Sequence, residues 1–223
     1  MTVVFFDVDK TLVKNTTVIA IVKYYLHNGH FGLTQIFWAI IYKILYSVDL
    51  VKPMAMMQRG LKPFIGRPRK EVQTELQEVF EKYIKSSFYQ EALDLIKEHQ
   101  NTGNRVVLLT STSWDIAKAI ADYLQLEYIA SAAVTENGIY TDQIKLPVPY
   151  GEGKMILARQ FCENHGYTLE EAFFYTDSHS DLQLLQAVGH PVCVNPDIRL
   201  LLKAKRFGWP ILKFKFVHPD GQK

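Results

Sequence analysis

The fold of this protein is decided by the stretch TVVFFDVDKTL, residues 2–12, which joins an apolar run to two carboxylates and a threonine. Residues 2–6 have the length and the β-branched and aromatic content of a buried strand, so Asp7 and Asp9 follow its carboxyl end. Ligands bind at that end in open α/β sheets. Alternation by two aims both carboxylates to one side, where one can attack phosphorus and the other can move a proton beside a divalent cation. The stretch by itself is equally compatible with a polar strand end and a threonine cap.

Three further segments in a fixed order favour a phosphoryl-transfer centre. The segment RVVLLTSTS, residues 105–113, has the pattern of a second buried strand that ends in hydroxyl residues, and Lys154 follows in VPYGEGKMIL, residues 148–157. A third apolar run then ends on Asp177, with Asp181 in the same segment, FFYTDSHSDLQLL, residues 173–185. One acid at the end of a strand is weak evidence, but the ordered set predicts a site that handles phosphate.

The motifs DVDKT and LLT, the separate Lys154 and the motif DSHSD resemble the four motifs of the haloacid dehalogenase (HAD) superfamily of phosphatases. The resemblance covers nearly the whole chain, and the phosphoserine-phosphatase-like branch, subfamily IB, is the most similar. It implies an α/β fold, a doubly wound parallel sheet with a Rossmann-like core, and a small all-helical cap domain inserted after the first strand. We therefore expect residues 1–13 and 86–223 to form the catalytic core and residues 14–85 to form the cap.

The resemblance also implies the catalytic residues. Asp7 is similar to the nucleophile that forms an aspartyl-phosphate, and Asp9 to the general acid and base that protonates the leaving alkoxide and then activates water. Thr110 and Lys154 are similar to the residues that hold the phosphoryl oxygens. Such a site depends on positioning and on electrostatic stabilisation of charge spread over the equatorial oxygens. The alternative for Lys154 is an ordinary surface lysine in a glycine-rich turn.

The cofactor implied by the resemblance is Mg2+, which takes hard oxygen ligands. Asp177 would bind it together with Asp7 and the carbonyl oxygen of Asp9, and Asp181 would brace these ligands from behind. Asp177 and Asp181 can at the same time act as the N-terminal cap and a first-turn acid of a helix. Supporting positions next to these motifs are Thr11, Ser111 and Ser178.

Three residues near the motifs need separate interpretation. Thr176 stands where a glycine commonly precedes the first acid of the fourth motif, which narrows the pocket without removing a ligand. Lys10 occupies a variable position between Asp9 and Thr11 and receives no catalytic role. We interpret His179, inside the acidic loop, as a solvated residue at a helix start, because no second histidine stands at ligand spacing.

Alternating strand and helix patterns follow the insert. Helices are predicted over residues 91–100, 114–124, 152–165 and 181–188, and strands over residues 105–109, 173–175 and 191–194. Asn137-Gly138 is a signal for a two-residue hairpin. The tail is interpreted as a last helix, a turn at Gly208-Trp209-Pro210 and an edge strand. This alternation is typical of a doubly wound parallel sheet.

The insert is basic and rich in aromatic residues. Residues 14–70 contain nine lysines or arginines and a single acid, Asp49. Residues 24–42 of the insert form an uncharged, largely apolar run, but polar residues interrupt it, so it is a poor membrane span. Three interpretations stay open: a helical cap that packs its apolar face internally, a peripheral contact with anionic membrane headgroups, or an apolar tunnel for a substrate tail beneath Phe37, Trp38 and Tyr42.

The expected substrate is an amphipathic or lipid-like phosphomonoester, similar to phosphatidylglycerophosphate or lysophosphatidate. The alternative is phosphoserine or another small-metabolite phosphate. Phosphoserine phosphatases generally have a glutamate after the first motif that meets the substrate ammonium, whereas Thr16 and Thr17 stand there in this chain. A phosphotransferase, which passes the phosphoryl group to an alcohol, also stays open. Candidate partners for a substrate carboxylate are Arg59, Arg67 and Arg69.

Composition bears on the remaining classes of protein. A net charge of +2 in 223 residues is too small for a nucleic-acid footprint, so no nucleic-acid partner is expected. A catalytically idle binding protein on the same scaffold is a remote alternative. Cys162 and Cys193 lie in apolar patterns without metal or redox spacing, which predicts buried thiols in a reducing compartment. Met1 leads directly into the first strand, so we expect no signal peptide and a cytoplasmic location, with or without peripheral membrane contact.

Overall fold

The fold is a six-stranded parallel sheet with helices on both faces, as the sequence predicts. The computed structural model of the protein describes residues 1–29 and 53–217. The strands are β1 (Val3–Phe6), β2 (Arg105–Ser113), β3 (Glu127–Ser131), β4 (Ala133–Glu136), β5 (Ile139–Ile144), β6 (Phe173–Thr176), β7 (His190–Val194) and β8 (Ile211–Leu212). The helices are α1 (Thr17–His27), α2 (Pro53–Leu61), α3 (Arg69–Val79), α4 (Gln90–Asn101), α5 (Trp114–Leu124), α6 (Glu152–His165), α7 (Leu182–Ala187) and α8 (Ile198–Phe207).

The strand order places β1 at the point where the sheet changes direction. The order is β3-β2-β1-β6-β7-β8, so the chain builds β2 and β3 on one side of β1 and the later strands on the other. A crevice forms at the carboxyl ends of the strands where a sheet reverses in this way. The motif acids that follow β1 and β6 therefore lie at the natural ligand site of the fold.

The first strand contributes to two hydrophobic cores, because its side chains alternate between the two faces of the sheet. Val4 and Phe6 pack in a cluster that includes residues of α4 and α5. Val3 and Phe5 pack in a second cluster with residues of α6, α7 and α8. All four side chains are fully buried, which explains why the strand is apolar at every position.

Most of the predicted elements are confirmed. Both α5 and α6 have the predicted bounds, and Asn137-Gly138, with φ of 49° and 78°, forms the turn between β4 and β5. The strand β2 is longer than predicted, because an irregularity between Thr110 and Ser113 lets its pairing with β3 continue past the hydroxyl residues. The tail forms α8, a turn and the edge strand β8, as expected. The predicted buried thiols are confirmed at Cys162 and Cys193.

The insert leaves and rejoins the core at neighbouring points. The backbone N–H of Lys14 donates to the Ser87 carbonyl at 2.9 Å, and that of Tyr89 donates to the Leu12 carbonyl at 2.9 Å. Beyond this point α1 packs on α3 and on the π-helical turn Phe80–Ile84. The domain boundaries stay a prediction. The proposed tunnel residues lie outside the described residues; they are Phe37, Trp38 and Tyr42. In residues 1–29 and 53–217 no helix is long and apolar enough to cross a membrane.

A buried histidine makes the stability of this fold sensitive to acid. His99 Nε2 lies 2.8 Å from Tyr175 Oη, and Asn104 Nδ2 lies 3.2 Å from His99 Nδ1. Burial lowers the pKa of His99, so the folded protein favours the neutral ring, whereas the unfolded chain has a histidine pKa of about 6.5. Below that pH the unfolded state binds a proton that the folded state does not bind, and the free energy of unfolding falls.

We expect the variant His99→Gln to lose part of this acid sensitivity. Urea unfolding measured above and below about pH 6.5 should show a smaller loss of unfolding free energy in the variant than in the wild type. The control is His165→Gln, which changes an exposed histidine at the end of α6. An equal decrease in the wild type and His99→Gln would contradict the assignment to this ring.

Candidate active site

Parallel pairing brings the motif residues to one edge of the sheet. In the register of β1, Phe6 lies opposite Leu108 of β2 and opposite Tyr175 of β6. Asp7 follows directly after β1, and its backbone N–H donates to the Tyr175 carbonyl at 2.9 Å. Thr110 and Asp177 come two residues after their paired positions, so the first, second and fourth motifs meet at the carboxyl ends of these strands.

A buried ammonium group joins the third motif to two of these carboxylates. Lys154 Nζ donates to Asp7 Oδ1 at 2.8 Å and to Asp181 Oδ2 at 2.7 Å, and all three side chains are buried. Lys154 lies in the first turn of α6. The residue directly before Lys154 must be glycine, since a Cβ on Gly153 would lie 2.1 Å from the Val148 carbonyl oxygen. The interpretation of Lys154 as a surface residue is therefore wrong.

Electrostatics keep this ammonium charged. Burial alone would lower the pKa of Lys154, but the charges of Asp181 and Asp7 outweigh this effect and raise it. Burial raises the pKa of Asp7, and Lys154 opposes that shift. A buried charge is stable when it is paired and hydrogen bonded, as it is here.

Asp9 faces the insert. Its Oδ1 accepts the backbone N–H of Thr17 at 2.7 Å, at the start of α1, and the Thr17 hydroxyl lies 3.0 Å from the Thr112 hydroxyl of β2. Burial and the charge of Asp7 raise the pKa of Asp9 to about 7. A carboxyl with that pKa holds or releases a proton near neutral pH, which suits general acid and base catalysis.

The acidic loop after β6 depends on a residue that the sequence analysis missed. Asp197 accepts the backbone N–H of His179 at 2.8 Å and that of Leu200 at 2.8 Å, and its own N–H donates to the Asp177 carbonyl at 2.8 Å. Asp197 therefore caps α8 and holds the loop that carries Asp177. Its position before the run IRLLL is a helix-cap signal, but nothing in the sequence indicates the contact with His179.

The donor set fits Mg2+. Burial and the charge of Asp7 raise the pKa of Asp177 to about 8, so these two carboxylates gain from a shared cation. Lys10 Nζ lies 3.8 Å from Asp177 Oδ2 and supplies a partial counter-charge. Among the described residues no group of three or more His, Cys, Asp or Glu side chains could hold a metal ion. The ligands that the sequence predicts, two carboxylates and the Asp9 carbonyl, are hard oxygen donors of the kind that Mg2+ takes.

The remaining motif residues carry hydroxyl groups, and they follow β1 or β6 or lie in β2. Thr110 is buried, and its hydroxyl accepts the backbone N–H of Thr112 at 3.1 Å. Thr11 is fully buried, and Ser111 lies in β2 with partial exposure. The Ser178 hydroxyl accepts the backbone N–H of Ser180 at 3.3 Å. Thr110 stays a catalytic candidate, and Thr11, Ser111 and Ser178 stay supporting candidates.

Two of the arginines predicted to bind a substrate carboxylate, Arg67 and Arg69, contact acidic side chains. Arg67 forms a bidentate pair with Glu75 at 2.6 and 3.0 Å, and Arg69 lies 3.4 Å from Asp115. A substrate carboxylate at Arg67 would compete with Glu75, which already accepts from both Nη atoms of the guanidinium. Arg59 lies in α2, and its predicted role is not tested by the geometry.

Comparisons with known proteins agree with this geometry. A family model for haloacid dehalogenase-like hydrolases matches residues 4–186. A protein of Mycobacterium tuberculosis (strain ATCC 25618 / H37Rv) named as a probable phosphatase is 30% identical over 217 residues, which are 96% of this chain and 75% of that protein. A phosphoserine phosphatase of the same strain is 27% identical over 220 residues, 96% of this chain and 71% of that protein.

Two further comparisons concern part of the chain and the fold. A histidinol-phosphatase of Neisseria meningitidis serogroup C (strain 8013) is 35% identical over 132 residues, 54% of this chain and 57% of that protein. A solved structure of a protein with unknown function from Bordetella pertussis Tohama I has a TM-score of 0.88 and 24% identity, and the match covers 95% of this chain and 99% of that one. The fold is thus shared with a solved structure over most of the chain.

We expect Lys154→Met to destabilise the protein by about 3–5 kcal/mol, because it leaves two buried carboxylates without their cation. Urea unfolding without divalent ions measures this change. The control is Lys118→Met, which removes the exposed ion pair with Asp122 on α5 and should change stability little. Similar losses in both variants would contradict a buried pair at Lys154.

Proposed function

The chain belongs to the haloacid dehalogenase-like hydrolase family and is a phosphatase of that family, and we propose that it hydrolyses a small, polar phosphomonoester through an aspartyl-phosphate on Asp7. The observation that carries this proposal is the buried Lys154 ammonium, 2.8 Å from Asp7 Oδ1, at the edge of the sheet where Thr110 and Asp177 also lie. A cation beside a nucleophilic carboxylate favours the approach of an anionic phosphate.

The two carboxylates of the first motif would divide the reaction between them. An oxygen of Asp7 forms a bond to phosphorus as the bond to the leaving alkoxide breaks, and Asp9 gives its proton to that alkoxide. Asp9 then takes a proton from the water that attacks the aspartyl-phosphate. The products are an alcohol and inorganic phosphate, and both aspartates return to their starting states. The pKa of about 7 for Asp9 suits a group that must first hold a proton and then accept one.

The phosphoryl oxygens would be held by Lys154 and Thr110. An ammonium has three donors, and Asp7 and Asp181 accept two of them, so one donor of Lys154 remains for a phosphoryl oxygen. When bound, Mg2+ would neutralise part of the charge that the carboxylates share with the phosphoryl group. Asp7, Asp177 and the Asp9 carbonyl would hold it. Positioning and charge stabilisation of this kind supply most of the rate in phosphoryl transfer.

The small-metabolite alternative is better supported than the lipid-like substrate that composition favours. The relatives with named substrates are a phosphoserine phosphatase and a histidinol-phosphatase, both of which act on small polar phosphates. In the described part of the insert, aromatic rings pack on one another: Tyr25 lies 5.4 Å from Tyr24 and 5.8 Å from Phe64 between ring centroids. These rings fill space within the insert, and the proposed tunnel residues lie outside the described part of the chain.

A substrate panel tests the proposal. Phosphate release with excess Mg2+ would be measured for phosphoserine, histidinol phosphate, sugar phosphates, micellar lysophosphatidate and phosphatidylglycerophosphate. We expect kcat/KM for the best small ester to exceed that of either lipid by about 10-fold or more, a difference of about 1.4 kcal/mol in transition-state binding. The blank is Asp7→Asn, which should have no activity above background. Lipid preference would overturn the proposed substrate class, and an active Asp7→Asn would overturn the aspartyl-phosphate route.

The role of Asp9 makes a separate prediction. Asp9→Asn should lower kcat/KM, which reports the steps up to formation of the aspartyl-phosphate, by about 10²–10⁴-fold for alkyl phosphates, whose leaving alkoxide needs a proton, and less for p-nitrophenyl phosphate. The control is Asp142→Asn, which changes an exposed acid in β5. If Asp9→Asn loses the same factor on both kinds of ester, Asp9 is not the general acid.

A further inference from the structure

Thr176 lies where the family commonly has a glycine, and its hydroxyl is used. It is the last residue of β6 and is fully buried. Its Oγ1 donates to Asp181 Oδ2 at 2.6 Å and accepts the backbone N–H of Ser178 at 3.2 Å. A hydroxyl that donates to a carboxylate at this distance in a buried site makes a strong, charge-assisted hydrogen bond.

Thr176 is connected to the proposed reacting groups through a single atom, Asp181 Oδ2. Asp181 Oδ2 accepts from the Thr176 hydroxyl at 2.6 Å and from Lys154 Nζ at 2.7 Å. Lys154 Nζ in turn donates to Asp7 Oδ1 at 2.8 Å. The hydrogen bonds thus connect Thr176, Asp181, Lys154 and Asp7 in that order, and all four side chains are buried. A carboxylate oxygen with two donors is fixed in direction more firmly than one with a single flexible lysine.

We propose that Thr176 is a positioning residue whose hydroxyl fixes Asp181 and thereby aims the Lys154 ammonium at the phosphoryl group beside Asp7. This inference rests on the proposed function, and it adds a determinant that the glycine of the usual pattern cannot supply. The Thr176 side chain is fully buried, and its hydroxyl is bonded to Asp181 and to the Ser178 N–H. It acts through Asp181, so loss of its hydroxyl should lower the affinity for phosphate and leave the affinity for Mg2+ unchanged.

A second route has to be distinguished, because the same hydroxyl accepts the Ser178 N–H next to Asp177. If Thr176 acted through that bond, its loss would disturb the Asp177 loop and the affinity for Mg2+. Asp197 also holds this loop through the Asp177 carbonyl and the His179 N–H. The loop therefore has support that does not depend on Thr176, which favours the route through Asp181.

The test compares Thr176→Ser, which keeps the hydroxyl, with Thr176→Val, which keeps the shape and removes it. We expect Thr176→Val to lower kcat/KM for p-nitrophenyl phosphate by about 10-fold or more and Thr176→Ser to stay within about 3-fold of the wild type. Calorimetry should show weaker binding of inorganic phosphate to Thr176→Val in the presence of Mg2+, with unchanged binding of Mg2+ alone. If Thr176→Val does not fold, Thr176→Ala is compared with Thr176→Ser, since this pair differs by the hydroxyl oxygen.

The outcomes separate this inference from the proposed function. Equal phosphate affinity in the Ser and Val variants would overturn the positioning role, and so would a change confined to Mg2+ affinity. A wild type that releases phosphate from no ester in the panel would overturn the proposed function, while the phosphate-binding comparison would still decide the role of Thr176. Wild-type protein that binds no phosphate would overturn both.

Discussion

The ammonium of Lys154 lies between the carboxylates of Asp7 and Asp181, and all three groups are removed from water. An unpaired ammonium in this position would destabilise the folded protein by several kcal/mol, so the fold must place both carboxylates beside it. Asp7 follows β1, Asp181 follows β6, and Lys154 starts α6. The pairing of β1 with β6 and the close approach of Gly153 to the Val148 carbonyl are what allow the three to meet. The same strand pairing that builds the core therefore also brings the candidate catalytic residues together.

The second acid of the first motif belongs to a different part of this arrangement. Asp9 accepts the N–H of Thr17 at the first turn of α1, and the Thr17 hydroxyl meets Thr112 of β2. The orientation of Asp9 thus depends on where the insert begins. The backbone bonds of Lys14 and Tyr89 hold that starting point against the core. In the proposed mechanism, the group that transfers a proton is therefore held in place by the start of the insert.

Charge in the insert illustrates how composition and contacts can lead to different conclusions. Residues 14–70 are strongly basic, and this suggested a surface for anionic lipids. In the folded chain, Arg67 pairs with Glu75 from the next helix and Arg69 lies beside Asp115 of the core. The acids that neutralise these arginines come after the basic segment, so a window of sequence does not include them. The Arg69–Asp115 pair joins the insert to the core, whereas the Arg67–Glu75 pair lies within the insert, and both leave less charge for a partner.

The sequence by itself determined the parallel α/β fold and the positions of Asp7, Asp9, Asp177, Lys154 and Thr110. Buried strands are apolar at every position, and Asp7, Asp9 and Asp177 follow such strands, whereas Lys154 and Thr110 were identified by the resemblance of their motifs to the HAD superfamily. Only the tertiary structure decided the partners of these groups, including the contact of Asp9 with Thr17 and the two roles of Asp197. Those contacts join residues far apart in the chain, and their distances depend on how α1, α6 and α8 pack on the sheet. This packing also determines side-chain hydrogen bonds such as that from Thr176 to Asp181, which local sequence patterns do not predict.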